Sequence, residues 1–124
     1  MAKRIVLVGH CGADVSYLTI TIRRAIADAQ VTFADDDASL SRLLDKDGVD
    51  LLLFNRELSY GFSESQGVDV IRRIRTACPD LKMMLVSNFP QAHAEAVAAG
   101  ALPGFGKREL GSPRVTQILR EALE

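Results

Sequence analysis

Asp50-Leu51-Leu52-Leu53-Phe54-Asn55 is the stretch on which the fold turns. Leu51 to Phe54 is unbroken apolar sequence between polar residues, too short for a buried helix, and reads as the central strand of a sheet covered on both faces. Upstream, Asp35-Asp36-Asp37 supplies capping carboxylates for a short helix carrying Leu40, Leu43 and Leu44, which stops at Gly48. Before it, Gln30–Ala34 holds Val31 and Phe33 and reads as a strand. Further back, Val15, Leu18, Ile22, Ile26 and Ala29 recur at helical spacing from Asp14 onward. Ile5-Val6-Leu7-Val8, ending in Gly9, is the first strand.

Downstream, residues 57–66 read as a polar loop. A helix follows with Val68, Ile71 and Ile74 inward and Arg72, Arg73 and Arg75 outward, and Pro79 lies just past its end. Met83–Val86 is a fourth strand, and Gln91–Ala99 an Ala-rich helix closed by Gly100. Ala101–Lys107 holds a short fifth strand made irregular by Pro103 and its glycines. Ser112-Pro113 starts the last helix, striped by Val115, Ile118, Leu119 and Ala122. Strands alternating with helices under right-handed crossovers predict an α/β, three-layer, doubly wound parallel sheet of five strands in order 2-1-3-4-5. Chemistry in such sheets sits at the carboxyl ends of the strands. The segments of interest are Gly9–Asp14, Asp35–Asp37, Asn55–Ser59, Ser87–Pro90 and Lys107–Glu109.

The 124 residues suit one domain over 1–124, and 48% hydrophobic content excludes compositional disorder. A net charge of -1, with Lys and Arg dispersed, argues against direct nucleic-acid binding. No apolar run approaches a membrane span, and the start, Met1-Ala2-Lys3-Arg4, does not read as a signal peptide. Cys11 and Cys78 are too few for a disulfide framework and match no zinc spacing. The default expectation is a cytoplasmic setting with no cofactor.

Three strand ends carry a resemblance. Asp50–Asn55 resembles the third strand of response-regulator receiver domains, whose last position is usually an aspartate; Val86-Ser87 resembles the fourth-strand end with its hydroxyl residue. Gly100-Ala101, with Lys107 seven residues after the glycine, resembles the last strand with its lysine. The match runs from Lys3 to the C-terminus. It implies the flavodoxin-like receiver fold and a role in two-component signalling. Ser87 and Lys107 are then the retained receiver-type residues.

The departures lie where the family does its chemistry. Receivers hold magnesium with carboxylates after the first strand and with the acceptor aspartate, and the ion offsets phosphoryl charge. Here the first-strand positions read Gly9-His10-Cys11, and the acceptor position is Asn55, whose amide forms no acyl phosphate. No metal site is expected. The family's proline after the lysine is Arg108, and its switch aromatic falls at Gly104, with Phe105 turned to the other face. The loop after Asn55 is longer than the family's pattern. The expectation is a degenerate pseudo-receiver in which Asn55→Asp alone restores nothing, His10→Asp is required as well, and Gly9→Asp helps further.

Lys107 and Ser87 are expected to meet Asn55 in a structural trio, with anion binding by Lys107 as the functional option. Cys11 precedes a helix start, where a thiol can become reactive, and Cys11–Ser16 faintly resembles the phosphocysteine loop of sugar-phosphotransferase subunits. Cys78 reads as core or edge filling, His93 as an unremarkable helix residue, and Glu57 as a surface carboxylate. Three functions follow. The first is a phosphorylation-independent, non-enzymatic module binding protein partners in a signalling pathway. For it, the resemblance implies Gln91–Gly100, Leu102–Phe105 and Ser112–Leu123 as the docking or dimer face. The second is a phosphocarrier or redox protein using Cys11. The third is a conventional phospho-switch with Ser87 or Glu57 as substitute acceptor.

Overall fold

A computed structural model describes residues 2–46, 48–58 and 61–123. Its elements, in chain order, are β1 (Arg4–Val8), α1 (Gly12–Ala25), β2 (Gln30–Ala34), α2 (Asp37–Asp45), β3 (Leu51–Asn55), α3 (Gly67–Ala77), β4 (Met83–Val86), α4 (Pro90–Ala98), β5 (Leu102–Phe105) and α5 (Pro113–Leu123). A 3-10 turn, Lys107–Glu109, links β5 to α5. The strands pair in parallel in the order β2-β1-β3-β4-β5, as the crossover rule predicts.

Strand alternation divides the interior between the two faces of the sheet. Val6, Val8, Leu52, Phe54, Met83 and Leu85 pack under α2, α3 and α4 through Leu40, Val70, Ile71 and Ala96. Ile5, Leu7, Leu51, Leu53, Met84 and Val86 pack under α1 and α5 through Leu18, Ile22, Val115 and Leu119. All four residues of Leu51–Phe54 are fully buried, which places β3 at the sheet's centre as its composition predicts. Arg72 and Arg73 face outward in ion pairs to Asp69 and Glu64.

Two local features differ from expectation. Helix α1 begins at Gly12, two residues before Asp14, so Asp14 lies inside its first turn. The polar loop is anchored by apolar residues, because Leu58 and Phe62 are buried in the α2–α3–α4 core. A bridge between Glu57 and Gln66 and the bond from Leu58 N to Ser65 O (2.9 Å) fold the loop back on itself. It docks onto α2, where Asp37 Oδ2 accepts from both Ser63 N and Ser63 Oγ at 2.8 Å. Of the Asn55–Ser59 segment, Ser59 lies outside the described residues, as do Met1 and Glu124 at the ends of the expected domain. As expected, Asp36 caps α2: its carboxylate accepts from Ser39 N at 2.7 Å while Ser39 Oγ accepts from Asp36 N.

Candidate functional site

The carboxyl ends of β3 and β4 and the turn after β5 converge on a cavity of about 180 Å³ lined by Asn55, Ser87 and Lys107, together with Arg56, Glu57 and Phe89. The trio expected from sequence therefore shares one cavity, but each member is bonded elsewhere. Asn55 Nδ2 donates to Gly9 O (3.2 Å) and to Glu57 O (2.9 Å). Both partners are carbonyl oxygens, so the side chain must present its NH₂ to them. Asn55 thereby ties the end of β3 to the end of β1 and to its own loop. Ser87 Oγ accepts from Phe89 N (3.1 Å) at the start of α4.

Lys107 Nζ forms a 2.6 Å ion pair with Asp14 Oδ2. The hydrogen bond from this ammonium holds the Asp14 carboxyl below its usual value. The sequence offered no direct sign of the pair, which spans 93 positions. The only hint was a carboxylate in the first turn of a helix that follows a strand end. Anion binding by Lys107, the functional option raised above, is opposed because Asp14 already matches its charge.

His10 is buried, and its Nε2–H donates to Leu53 O at 2.9 Å. The carbonyl can only accept, so Nε2 carries the proton, and Nδ1 is buried without a partner. Burial pushes the His10 pKa down to about 4, with the Leu53 bond opposing and the Lys107 charge adding to the effect. Cys11 is exposed at the N-cap of α1, where its side chain makes no capping hydrogen bond. Cys78 is half-buried against the core, and Glu57 is exposed and paired with Arg56 at 2.8 Å. His93 is more engaged than expected, since its Nε2–H donates to Ser87 O at 2.6 Å.

A receiver-type magnesium ion does not fit this donor set. Among the described residues no three His, Cys, Asp or Glu side chains gather for a metal. The Gly9 and Glu57 carbonyls at the strand ends are occupied by the Asn55 amide. Gly9 has φ +74°, and a Cβ there would lie 2.4 Å from Leu58 Cδ2, so the space beside β1 holds an apolar side chain. Gly9→Asp, expected above to help, would introduce both backbone strain and a clash. Of the two positions considered for the switch aromatic, Phe105 is buried in the α1–α5 core, while Gly104 lies so close to β4 that a Cβ would come within 2.1 Å of Leu85 O.

No protein-family model matches the chain, and no curated protein sequence does. Solved structures do. NtrX from Brucella abortus superposes with a TM-score of 0.79 at 18% identity, over 99% of this chain and 28% of that one. The signal receiver domain of a DNA-binding response regulator from Colwellia psychrerythraea 34H gives 0.74 at 16%, covering 96% of each. A beryllofluoride-activated NtrC4 receiver-domain dimer gives 0.79 at 15%, over 97% of this chain and 95% of that one. The fold is that of response-regulator receiver domains. The chain spans little more than a quarter of the Brucella protein's length.

Proposed function

We propose that residues 1–124 form a receiver-like unit of two-component-type signalling that works by binding protein partners and takes up no phosphoryl group. The observation that carries this is the closed network at the strand ends. The acceptor position is an amide bonded to two carbonyls, and the lysine that would meet a phosphoryl group is neutralised by Asp14. An amide supplies no nucleophilic oxygen anion, and the carboxylate residue that lines the cavity with it, Glu57, is exposed and already paired with Arg56. We assign docking, or pairing with a second copy, to the face of α4, β5 and α5, in keeping with the dimer named for one structural neighbour. A cytoplasmic location accords with the finding that no described helix is long and apolar enough to cross a membrane. The test is intact-mass analysis after incubation with acetyl phosphate and magnesium. Unmodified protein is expected, and a magnesium-dependent phosphoryl adduct overturns the proposal.

A second reading, Cys11 as a nucleophile, is favoured by the exposure of its thiol at a helix start. Against it, the charged side chain in the first turn of its helix is the Asp14 carboxylate, and Cys11 sits there with no side-chain capping bond to activate it. Alkylation by iodoacetamide separates the two: a rate matching a small free thiol supports the binding module, and a rate tenfold or more above it, on the order of what thiolate activation gives, supports the nucleophile.

A further inference from the structure

A groove of about 780 Å³ lies between α4, β5 and the start of α5. Its walls are apolar: Ala94 and Val97 from α4 and Pro103 from β5, with Val97 45% exposed. Its floor runs along β5 at Gly104, where the approach to Leu85 leaves no room for a side chain, and Phe105 is committed to the opposite core. No ring of this chain rises into the groove from those two positions. The mouth is charged unevenly. Arg114 is matched by Glu109 at 2.6 Å, and the donor nitrogen of His93 is spent on Ser87 O. Arg108 is exposed, and among the described residues its guanidinium has no hydrogen-bond or ion-pair partner.

We propose that this groove receives an aromatic side chain that a partner protein carries beside a carboxylate. The inference rests on reading the domain as a protein-binding module and names the chemistry of its partner. An aromatic ring buries the most apolar area for the fewest frozen rotors, which suits a shallow slot with aliphatic walls. A guanidinium stacks on rings and pairs carboxylates with fixed geometry, so the unmatched Arg108 selects for both at once. The charged mouth is held in place beforehand: Asn88 Oδ1 accepts from Arg108 N at 3.1 Å, and Glu109 Oε2 accepts from Gly106 N at 2.8 Å. Such preorganisation lowers the ordering cost on binding.

The experiment is an amide-resolved NMR titration of the full chain with 3-phenylpropionate, 3-phenylpropylamine and butyrate. Saturable shifts at Ala94, Val97, Gly104 and Arg108 are expected with phenylpropionate, at an affinity of order millimolar for so small a ligand. The amine and butyrate should each bind about fivefold more weakly or worse, reflecting one lost charge contact or one lost ring. Arg108→Glu should remove the preference for the acid, and Val97→Trp, which fills the slot, should abolish the shifts while dispersion shows both variants folded. Equal binding of acid and amine, shifts centred elsewhere, or no saturable shift overturns the proposal. Failure here is distinct from failure of the functional reading, because phosphoryl labelling is scored by mass at the strand ends and not at the groove.

Discussion

Asn55 differs from aspartate only in carrying an NH₂ in place of an oxygen, and in this structure that NH₂ is what the site uses. Asn55→Asp would aim a carboxylate at the carbonyl oxygens of Gly9 and Glu57, exchanging two donated bonds for two repulsions. The variant is expected to lose about 1–3 kcal/mol, the cost of leaving such groups unpaired, read as a lower urea midpoint. It should also stay unlabelled by acetyl phosphate; an unchanged midpoint would show that the amide bonds do not hold the strand ends. His10 sets a second expectation at this scale. Its pKa falls from 6.5 to about 4 on folding, so the unfolded chain binds a proton that the folded chain refuses. Stability from this residue is complete above pH 6.5 and declines as pH falls toward 4. The loss between pH 7 and pH 5 is about 2 kcal/mol for a shift of that size, before the depressed carboxyls of Asp14 and Glu109 begin to titrate. Urea unfolding at the two pH values measures it, and His10→Gln, which keeps a donor for Leu53 O without a titrating ring, should flatten the dependence.

The loop between β3 and α3 is the element in which composition was least informative. Its serines, glutamates and glycine read as solvated, yet two apolar residues among them, Leu58 and Phe62, decide where it lies. Leu58 reaches the open side of Gly9, and Phe62 joins the core beneath α2 and α3. Arg73 on α3 clasps the loop through Glu64 at 2.6 Å, with Asp37 as a longer second partner at 3.5 Å. Leu58→Ala should cost about 2–3 kcal/mol, the usual penalty for truncating a buried leucine, and should raise hydrogen exchange at Gly61–Gln66 above that at α5. Exchange rising equally in both segments would mean the loop is not a separate anchor. The regular elements were far more legible. Unbroken burial along β1, β3 and β4 and the helical stripes of α1, α3 and α5 appear where the apolar runs and the sequence spacing put them. Boundaries moved by a residue or two, as at α1, because capping at Cys11 uses no side-chain bond that a motif could reveal.

For the molecule as a whole, a ligand that binds only the folded state raises its melting temperature in proportion to occupancy. Magnesium with beryllofluoride is therefore expected to leave the melting curve in place, since among the described residues the strand ends gather no cluster of three metal-ligating side chains and hold Leu58 beside Gly9. A rise that requires both reagents would show the cavity can still be filled. The alternation of apolar strands with striped helices determined the sheet, its parallel order and the identity of the strand-end residues, since these follow from local periodicity and from the handedness of crossovers. Missing carboxylates at Gly9, His10 and Asn55 were likewise plain in the sequence. Tertiary structure alone decided what took their place: Asp14 on Lys107, the Asn55 amide on two carbonyls, and Leu58 against Gly9. These contacts join residues 46 to 93 positions apart, or turn on the path of an irregular loop. Periodicity describes which face a residue occupies, and it carries no information about which partner stands opposite at that distance.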